Sequence, residues 1–600
     1  MKTHGTLRCR ILTLSMAAVL VVGGCSSSGS GNAQESSPAP QATTAQGAPI
    51  SLTSDEHAQR SHLSTAHGWS NDVQTIVKNQ DAEGNTYYDV YFLHSADGAT
   101  NPFGEAGQDW VHTTTSDFVH YSEQNSAIAA QGGHKTEGWK SAWTGSVITS
   151  DGSIAGTEPG QKVAFFTGLK KTDESQNTYA AASTDNGKTF TQVLNEGRPV
   201  IEADQSENGE DFRDPNVFYF EGKLLMYVAE GSVLGVYQSS DGVNWSKADE
   251  TAESKVMPQS FYSGRDWNES NQPVECPVVE TLRTADGREK QVLFFGAKDD
   301  AEGETTGTYY TVGHLDENGL FVQETEVQRL DQGSDYYGSN TTGTDDISES
   351  NDSIIGLGWV GNWNYFTQGV HSDQEAQSDY AQRLGSYSSA RTLTLNNDLS
   401  VSSELVNNFG LENQRSYSAT ADAPATLSAE KQSAGSDTNG DIYLLYDLPH
   451  QVDHQYAKIN FSKEGGDYDK RIYIDIWQGS DYVRLNLDPT NGWYNVKSYS
   501  AELKNGKEGD KASSYYYDGK LGEGRGYSAQ TGMEKTDEFT IEVVTDRSSV
   551  EFFLPNGQVY TVSRFNTSGQ QDLKVLTEDG SNISAEIEIS DTAVTGTNLG

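Results

Sequence analysis

Apolar residues in this chain come in short runs that alternate with polar ones or stand as brief solid blocks. Gly, Asn, Asp and Ser clusters close each run, as at 87–93, 162–166, 223–228 and 291–295. Few stretches sustain a helical period, and this patterning predicts an all-β chain. At 600 residues the chain is too long for one ordinary core, so two domains and a tail are expected. A short unit recurs: Thr115-Ser116-Asp117 leads to Tyr121, Ser183-Thr184-Asp185 to Phe190, and Ser239-Ser240-Asp241 to Trp245. Each reads as a strand, a polar turn built on an Asp, and an aromatic that opens the next strand. Hairpins repeated in this way suggest propeller blades. Three unrelated hairpins sharing common turn chemistry would give the same pattern.

Farther along, 471–476, 482–487 and 539–544 alternate cleanly, and 549–554 and 558–562 flank Pro555-Asn556-Gly557 as a hairpin. A β-sandwich is expected over residues 413–600 and the propeller over 51–412. At the N-terminus, Lys2, Arg8 and Arg10 precede an apolar run at 11–22, and Gly23-Gly24-Cys25 follows. A basic start, a short apolar run and small residues mark residues 1–25 as a secretory signal. Cys25 after two glycines resembles a bacterial lipobox, which implies lipidation of Cys25 and a cell-surface lipoprotein. Residues 26–50 are Ser, Gly, Ala, Gln and Pro with few large apolar side chains, the composition of a flexible tether. Of three cysteines, Cys9 would leave with the signal and Cys25 would be acylated. Cys276 is then left alone, with no intramolecular disulfide in the mature chain.

A formal net charge of -45 argues against nucleic acid and polyanionic partners, which need clustered Lys and Arg. A neutral polymer fits, and aromatics at 10% can stack on sugar rings. Cleaving a glycosidic bond takes one carboxylate at the anomeric carbon and one carboxylic acid at the leaving oxygen. Three acidic motifs stand in unusual settings: His67-Gly68-Trp69-Ser70-Asn71-Asp72, Phe212-Arg213-Asp214-Pro215 and Glu275-Cys276-Pro277. Taken singly, each also reads as a turn, a local ion pair or a strand end.

In this order, and in an all-β chain of this length, the three motifs resemble the signatures of glycoside hydrolase family 32, the invertases, inulinases and levanases. Further segments agree. Trp110-Val111-His112-Thr113-Thr114-Thr115-Ser116-Asp117 is similar to the family's Trp-Gly-His-Ala-Thr-Ser segment. Trp143-Thr144-Gly145-Ser146 is similar to its Phe-Ser-Gly-Ser, and Asp335-Tyr336-Tyr337 to its Asp-Phe-Tyr. Gly358-Trp359-Val360-Gly361, Ser389-Ala390-Arg391 and Ser549-Val550-Glu551-Phe552-Phe553 resemble later strands of the same architecture. The resemblance implies a five-bladed β-propeller with a central active site, followed by a C-terminal β-sandwich. By motif it makes Asp72 the nucleophile, Asp214 the transition-state stabiliser and Glu275 the acid/base. Trp69, Asn71, Trp110, Trp143, Thr144, Arg213 and Tyr337 become substrate-binding candidates. Glu275 would need a raised pKa, and Cys276 would be a small packing residue beside it.

Two departures bear on specificity. The family continues Asn-Asp-Pro-Asn-Gly where this chain has Asp72-Val73-Gln74-Thr75. A Gln that contacts the terminal fructose is replaced by Leu93. Both suit an endo-acting levanase or a levan fructotransferase. The leading expectation is a retaining hydrolase of extracellular levan or inulin. A fructosyltransferase on the same fold and a non-catalytic glycan-binding lipoprotein stay open, and an arabinan- or xylan-cleaving enzyme is disfavoured by the motif forms. No cofactor is expected. No His, Asp and Glu cluster stands at ligand spacing, so no catalytic metal is expected either.

Overall fold

The structure is a computed structural model. It describes residues 59–592 except 66–68, 97–105, 132–137, 171–173, 204–210, 250–253, 257–272, 298–305, 364–384, 407–409, 421–431, 434–440, 467, 480, 489–492, 500–527, 531–536, 565–569 and 579–580. Cys25, the signal segment and the tether lie outside the described residues.

The described chain is built of strands. Between residues 70 and 405 it forms five antiparallel sheets, each a meander in chain order. Their first strands are Ser70–Gln80, Trp139–Thr149, Phe212–Phe220, Val274–Arg283 and Tyr337–Thr341. We number the sheets I to V. The continuous apolar blocks of the sequence are explained by burial on both faces, since side chains alternate across a strand. In the block at 162–166, Ala164 and Phe166 join a core shared by sheets I and II, with Tyr91, Leu93 and Trp110. Val163 and Phe165 face the other way, into a core shared with Val217, Tyr219 and Met226 of sheet III. Sheets III and IV share a third core, and IV and V a fourth. A fifth, around Trp69, Val73, Phe92, Leu357, Trp359 and Tyr387, joins sheet V back to sheet I.

The recurring Asp turns connect the third and fourth strands of sheets I, II and III. Asp117 Oδ1 accepts the amides of Val119 and His120, and Asp241 Oδ1 those of Val243 and Asn244. Asp316 and Asp398 build related turns in sheets IV and V, accepting from Leu320 and Ser400. Their surroundings lack the Ser/Thr lead that made the first three visible.

After Leu405 the chain builds two larger sheets of six and seven strands. Ile459, Phe461, Ile541 and Ile587 of one meet Ile472, Ile474, Leu485 and Val575 of the other in a single core, which makes this part a β-sandwich. A polar seam joins it to sheet V. Arg391 spans Asp331 (2.6 Å) and Glu551 (2.7 Å), and the Thr561 amide donates to Asp331. The segment before the first strand is buried in this seam, where the amides of Arg60 and Ser61 donate to Asp546.

Candidate active site

All five first strands break register near their N-terminal ends. The shifts fall around Val73, between Trp143 and Gly145, opposite Arg213 and Asn216, between Glu275 and Val278, and between Tyr337 and Asn340. A bulge turns a side chain away from strict alternation and is a common device for aiming site residues. Asp214 and Cys276 sit there at φ 64 and φ 50, uncommon for residues with a side chain. At the fifth bulge Gly338 has φ 48, and a Cβ on it would lie 2.3 Å from Asp72 Oδ1. Only glycine leaves that carboxylate its place.

These bulges converge on a cavity of about 270 Å³ lined by Asn71, Asp72, Leu93, Gln108, Trp143, Thr144, Gln176, Asp211, Arg213, Asp214, Glu275 and Trp363. Asp72 Oδ1 accepts from Asn71 Nδ2 (3.1 Å) and Oδ2 from Thr144 Oγ1 (2.9 Å). Asp214 Oδ2 accepts the Cys276 amide at 3.0 Å. The Cys276 thiol lies 3.7 Å from Asp72 Oδ2 and 3.6 Å from Asp214 Oδ2, between the two carboxylates. Burial and these acids push that thiol well up, so it stays a neutral donor. Glu275 is gripped from two sides. Arg213 places Nε (3.1 Å) and Nη2 (2.6 Å) on Oε1, and the Tyr337 hydroxyl donates to Oε2 at 2.5 Å.

Burial dominates the electrostatics. It pushes Asp214 up to about 7, Arg213 pulling against it and Glu275 and Asp72 adding to it. Burial raises Asp72 too, reinforced by Glu275 and opposed by the hydrogen bonds from Thr144 and Asn71. Buried carboxyl groups this close together oppose one another's ionisation. Burial and the neighbouring Glu275 also raise Tyr337, which therefore remains a hydrogen-bond donor.

Of the residues singled out in the sequence, Asp72, Asp214, Glu275, Asn71, Trp143, Thr144 and Arg213 share this cavity, and Tyr337 backs it through Glu275. Trp69 and Trp110 do not wall it. Both are buried in cores between sheets and act through neighbours: Trp69 Nε1 donates to Asn71 Oδ1 (2.9 Å), and Trp110 Nε1 to the Trp143 carbonyl (2.9 Å). Trp69 stands just before the strand Ser70–Gln80, and Trp110 lies two residues farther along its strand than the cavity-lining Gln108, within the core between sheets I and II. Gln108, Gln176 and Asp211 escaped the sequence reading. Gln108 and Gln176 open third strands, where nothing in the local sequence marks them. Asp211 carried a usable signal, since it stands two residues before Arg213 and such positions share a face in extended chain.

A ring of bulged strands that brings the carboxyl groups of Asp72, Asp214 and Glu275 into a single cavity has the constitution of a glycoside-cleaving site. The family model described as Glycosyl hydrolases family 32 N-terminal domain matches residues 62–407, and the chain belongs to that family. Levanbiose-producing levanase of Bacillus subtilis (strain 168) is 30% identical over 306 residues, covering 51% of this chain and 53% of that protein. The enzyme of the same description from Geobacillus stearothermophilus is 30% identical over 283 residues, covering 47% and 65%. The chain thus spans between half and two thirds of the length of these relatives. In three dimensions it is similar to beta-fructofuranosidase of Schwanniomyces occidentalis, with a TM-score of 0.66 at 19% identity over 91% of this chain and 100% of that one. Exo-inulinase of Aspergillus awamori gives 0.67 at 16% over 89% and 98%. The fold is the β-propeller and β-sandwich of this family.

Proposed function

We propose that the chain is a retaining glycoside hydrolase that cleaves β-fructofuranosidic linkages of fructans, with sheets I to V as the blades of a five-bladed propeller. The observation that carries this reading is the convergence of Asp72, Asp214 and Glu275 on one cavity, with Arg213 and Tyr337 on the acid. Asp72 attacks the anomeric carbon as Glu275 gives its proton to the departing oxygen, leaving a fructosyl ester on Asp72. Glu275 then takes a proton from water, the water oxygen bonds to the anomeric carbon, and the ester bond to Asp72 breaks. Asp214 holds the sugar hydroxyls as positive charge develops on the ring.

Levan is the favoured substrate. The 30%-identical relatives are levanbiose-producing levanases, and Leu93 leaves an apolar wall where the family has a Gln. An endo-acting site is favoured by the same feature, because a terminal fructose finds one polar contact fewer. Product analysis on levan, inulin and sucrose tests the reading. Short oligofructosides should precede free fructose, and NMR should show the β product first. An initial α product would overturn the retaining mechanism, and sucrose cleaved with every fructan left intact would overturn the substrate.

The lipobox resemblance of Cys25 supports a surface lipoprotein that meets polymers outside the cell. Retention of the wild type in the membrane fraction, with a Cys25→Ser variant unprocessed or released, is expected. Equal retention of a fully processed variant would remove the anchor.

A further inference from the structure

We propose that Asp211 is a positioning residue that sets how firmly Arg213 holds Glu275, and so governs the proton on the acid/base group. This rests on the role of Glu275 proposed above.

Arg213 uses one edge of its guanidinium on Glu275 Oε1, through Nε and Nη2. Its remaining nitrogen, Nη1, donates to Asp211 Oδ1 at 2.5 Å and to Gln176 Oε1 at 3.2 Å. The Arg213 and Glu275 side chains are each 10% exposed, whereas that of Asp211 is 41% exposed. Asp211 therefore links a buried ion pair to the cavity rim.

Among the described residues, the groups facing Glu275 include Arg213 and Asp214 from sheet III, Asp72 from sheet I, Tyr337 from sheet V, and Cys276 beside it. Arg213 is the one cation in that set. A guanidinium resting two nitrogens on a single carboxylate oxygen favours the ionised form strongly. A general acid must instead carry its proton at working pH. Sharing the cation with Asp211 weakens its pull on Glu275, and the negative charge of Asp211 opposes ionisation of Glu275 directly. Both effects act in the same direction. Gln176 holds the same Nη1 atom without charge, so geometry and charge can be separated by mutation.

The experiment is the pH dependence of kcat/KM on levan for the wild type, Asp211→Asn, Asp211→Glu and Gln176→Leu. Asp211→Asn keeps an acceptor for Nη1 and loses only the charge. Its alkaline limb, which reports the acid in the free enzyme, should move to lower pH by about half a unit or more. Asp211→Glu should restore the limb. Gln176→Leu should lower kcat/KM and leave the limb in place. An unmoved or upward-shifted limb in Asp211→Asn overturns the proposal. So does a raised KM with an unmoved limb, which would make Asp211 a sugar contact instead. A wild type inactive on levan, inulin and sucrose fails at the reading of the site itself, and the inference falls with it.

Discussion

Three carboxyl groups share one cavity, and the division of labour proposed for them draws on their partners. Asp72 receives hydrogen bonds from Asn71 and Thr144, which stabilise the anion an attacking group needs. Asp214 faces Arg213 and the Cys276 amide, yet burial still lifts it to about 7. Asp72→Ala and Glu275→Ala should each lower kcat on levan by on the order of 10³-fold or more. Asp214→Asn should be similarly severe. Unchanged near-ultraviolet circular dichroism would establish that the fold survives, and wild-type turnover in any variant would remove that residue from the chemistry. These acids were legible in the sequence because each stands in a motif with its own neighbours. The fates of Trp69 and Trp110 were not, because how neighbouring sheets close over an indole depends on residues far away in sequence.

At the scale of single elements, the five first strands present functional groups at both ends. Their C-terminal halves line a second cavity of about 400 Å³, with Glu280, Asn340, Thr341 and Asp345 among its walls. Glu280 is buried and accepts a hydrogen bond from Thr341 Oγ1 at 2.7 Å. Gly343 makes room for it, since a Cβ there would lie under 2 Å from Oε2. Burial pushes Glu280 up to about 8, Thr341 opposing and Asp345 adding to the rise. A carboxyl group raised in this way favours the folded state while it is protonated. Its contribution is complete below its unfolded pKa and is lost as pH rises through about 8. Glu280→Gln should therefore narrow the gap in thermal midpoint between pH 6 and pH 9, by an amount worth on the order of a few kcal/mol. A gap as wide as that of the wild type would show that Glu280 ionises in the fold without cost. The sequence marked this strand only through Glu275-Cys276-Pro277, which reads locally as a strand end, and nothing local showed that position 280 would be enclosed by sheet V.

For the molecule as a whole, the seam between sheet V and the sandwich is ionic and buried. His62 Nδ1 lies 2.8 Å from Asp546 Oδ2, and Nε2 lies 2.8 Å from Ser389 Oγ and 3.3 Å from Glu551 Oε2. Burial alone would lower the pKa of His62, but hydrogen bonds donated to Asp546 and Glu551 carry it up to about 9. Glu551 is correspondingly held down to about 2, where its bonds to His62 and its pairing with Arg391 outweigh burial. The His62 contribution to stability is thus complete below its unfolded pKa and lost as pH rises through about 9. That of Glu551 is present above its unfolded pKa and lost as pH falls toward about 2. His62→Ala would strand Asp546 and Glu551 without this partner. A loss of about 3–5 kcal/mol in urea unfolding near neutral pH is expected. A loss below about 1 kcal/mol would mean that Arg391 and solvent already balance the seam.

The motif Asp335-Tyr336-Tyr337 shows where sequence and tertiary structure divide. Its three consecutive residues serve three purposes: Asp335 accepts the Ser563 amide of the sandwich, Tyr336 packs under Arg391 at 4.3 Å, and Tyr337 donates to Glu275. The sequence by itself determined the strand content, the Asp turns of sheets I to III, the sandwich hairpin and the three acids. All of these rest on alternation, turn chemistry or contiguous motifs, which act over a few residues. Tertiary structure alone decided that Gly338 must stay bare beside Asp72, that Gln176 and Glu275 meet Arg213, and that His62 reaches Asp546. Those contacts join residues from different sheets or distant segments, and only the packing of the sheets brings them within hydrogen-bonding distance.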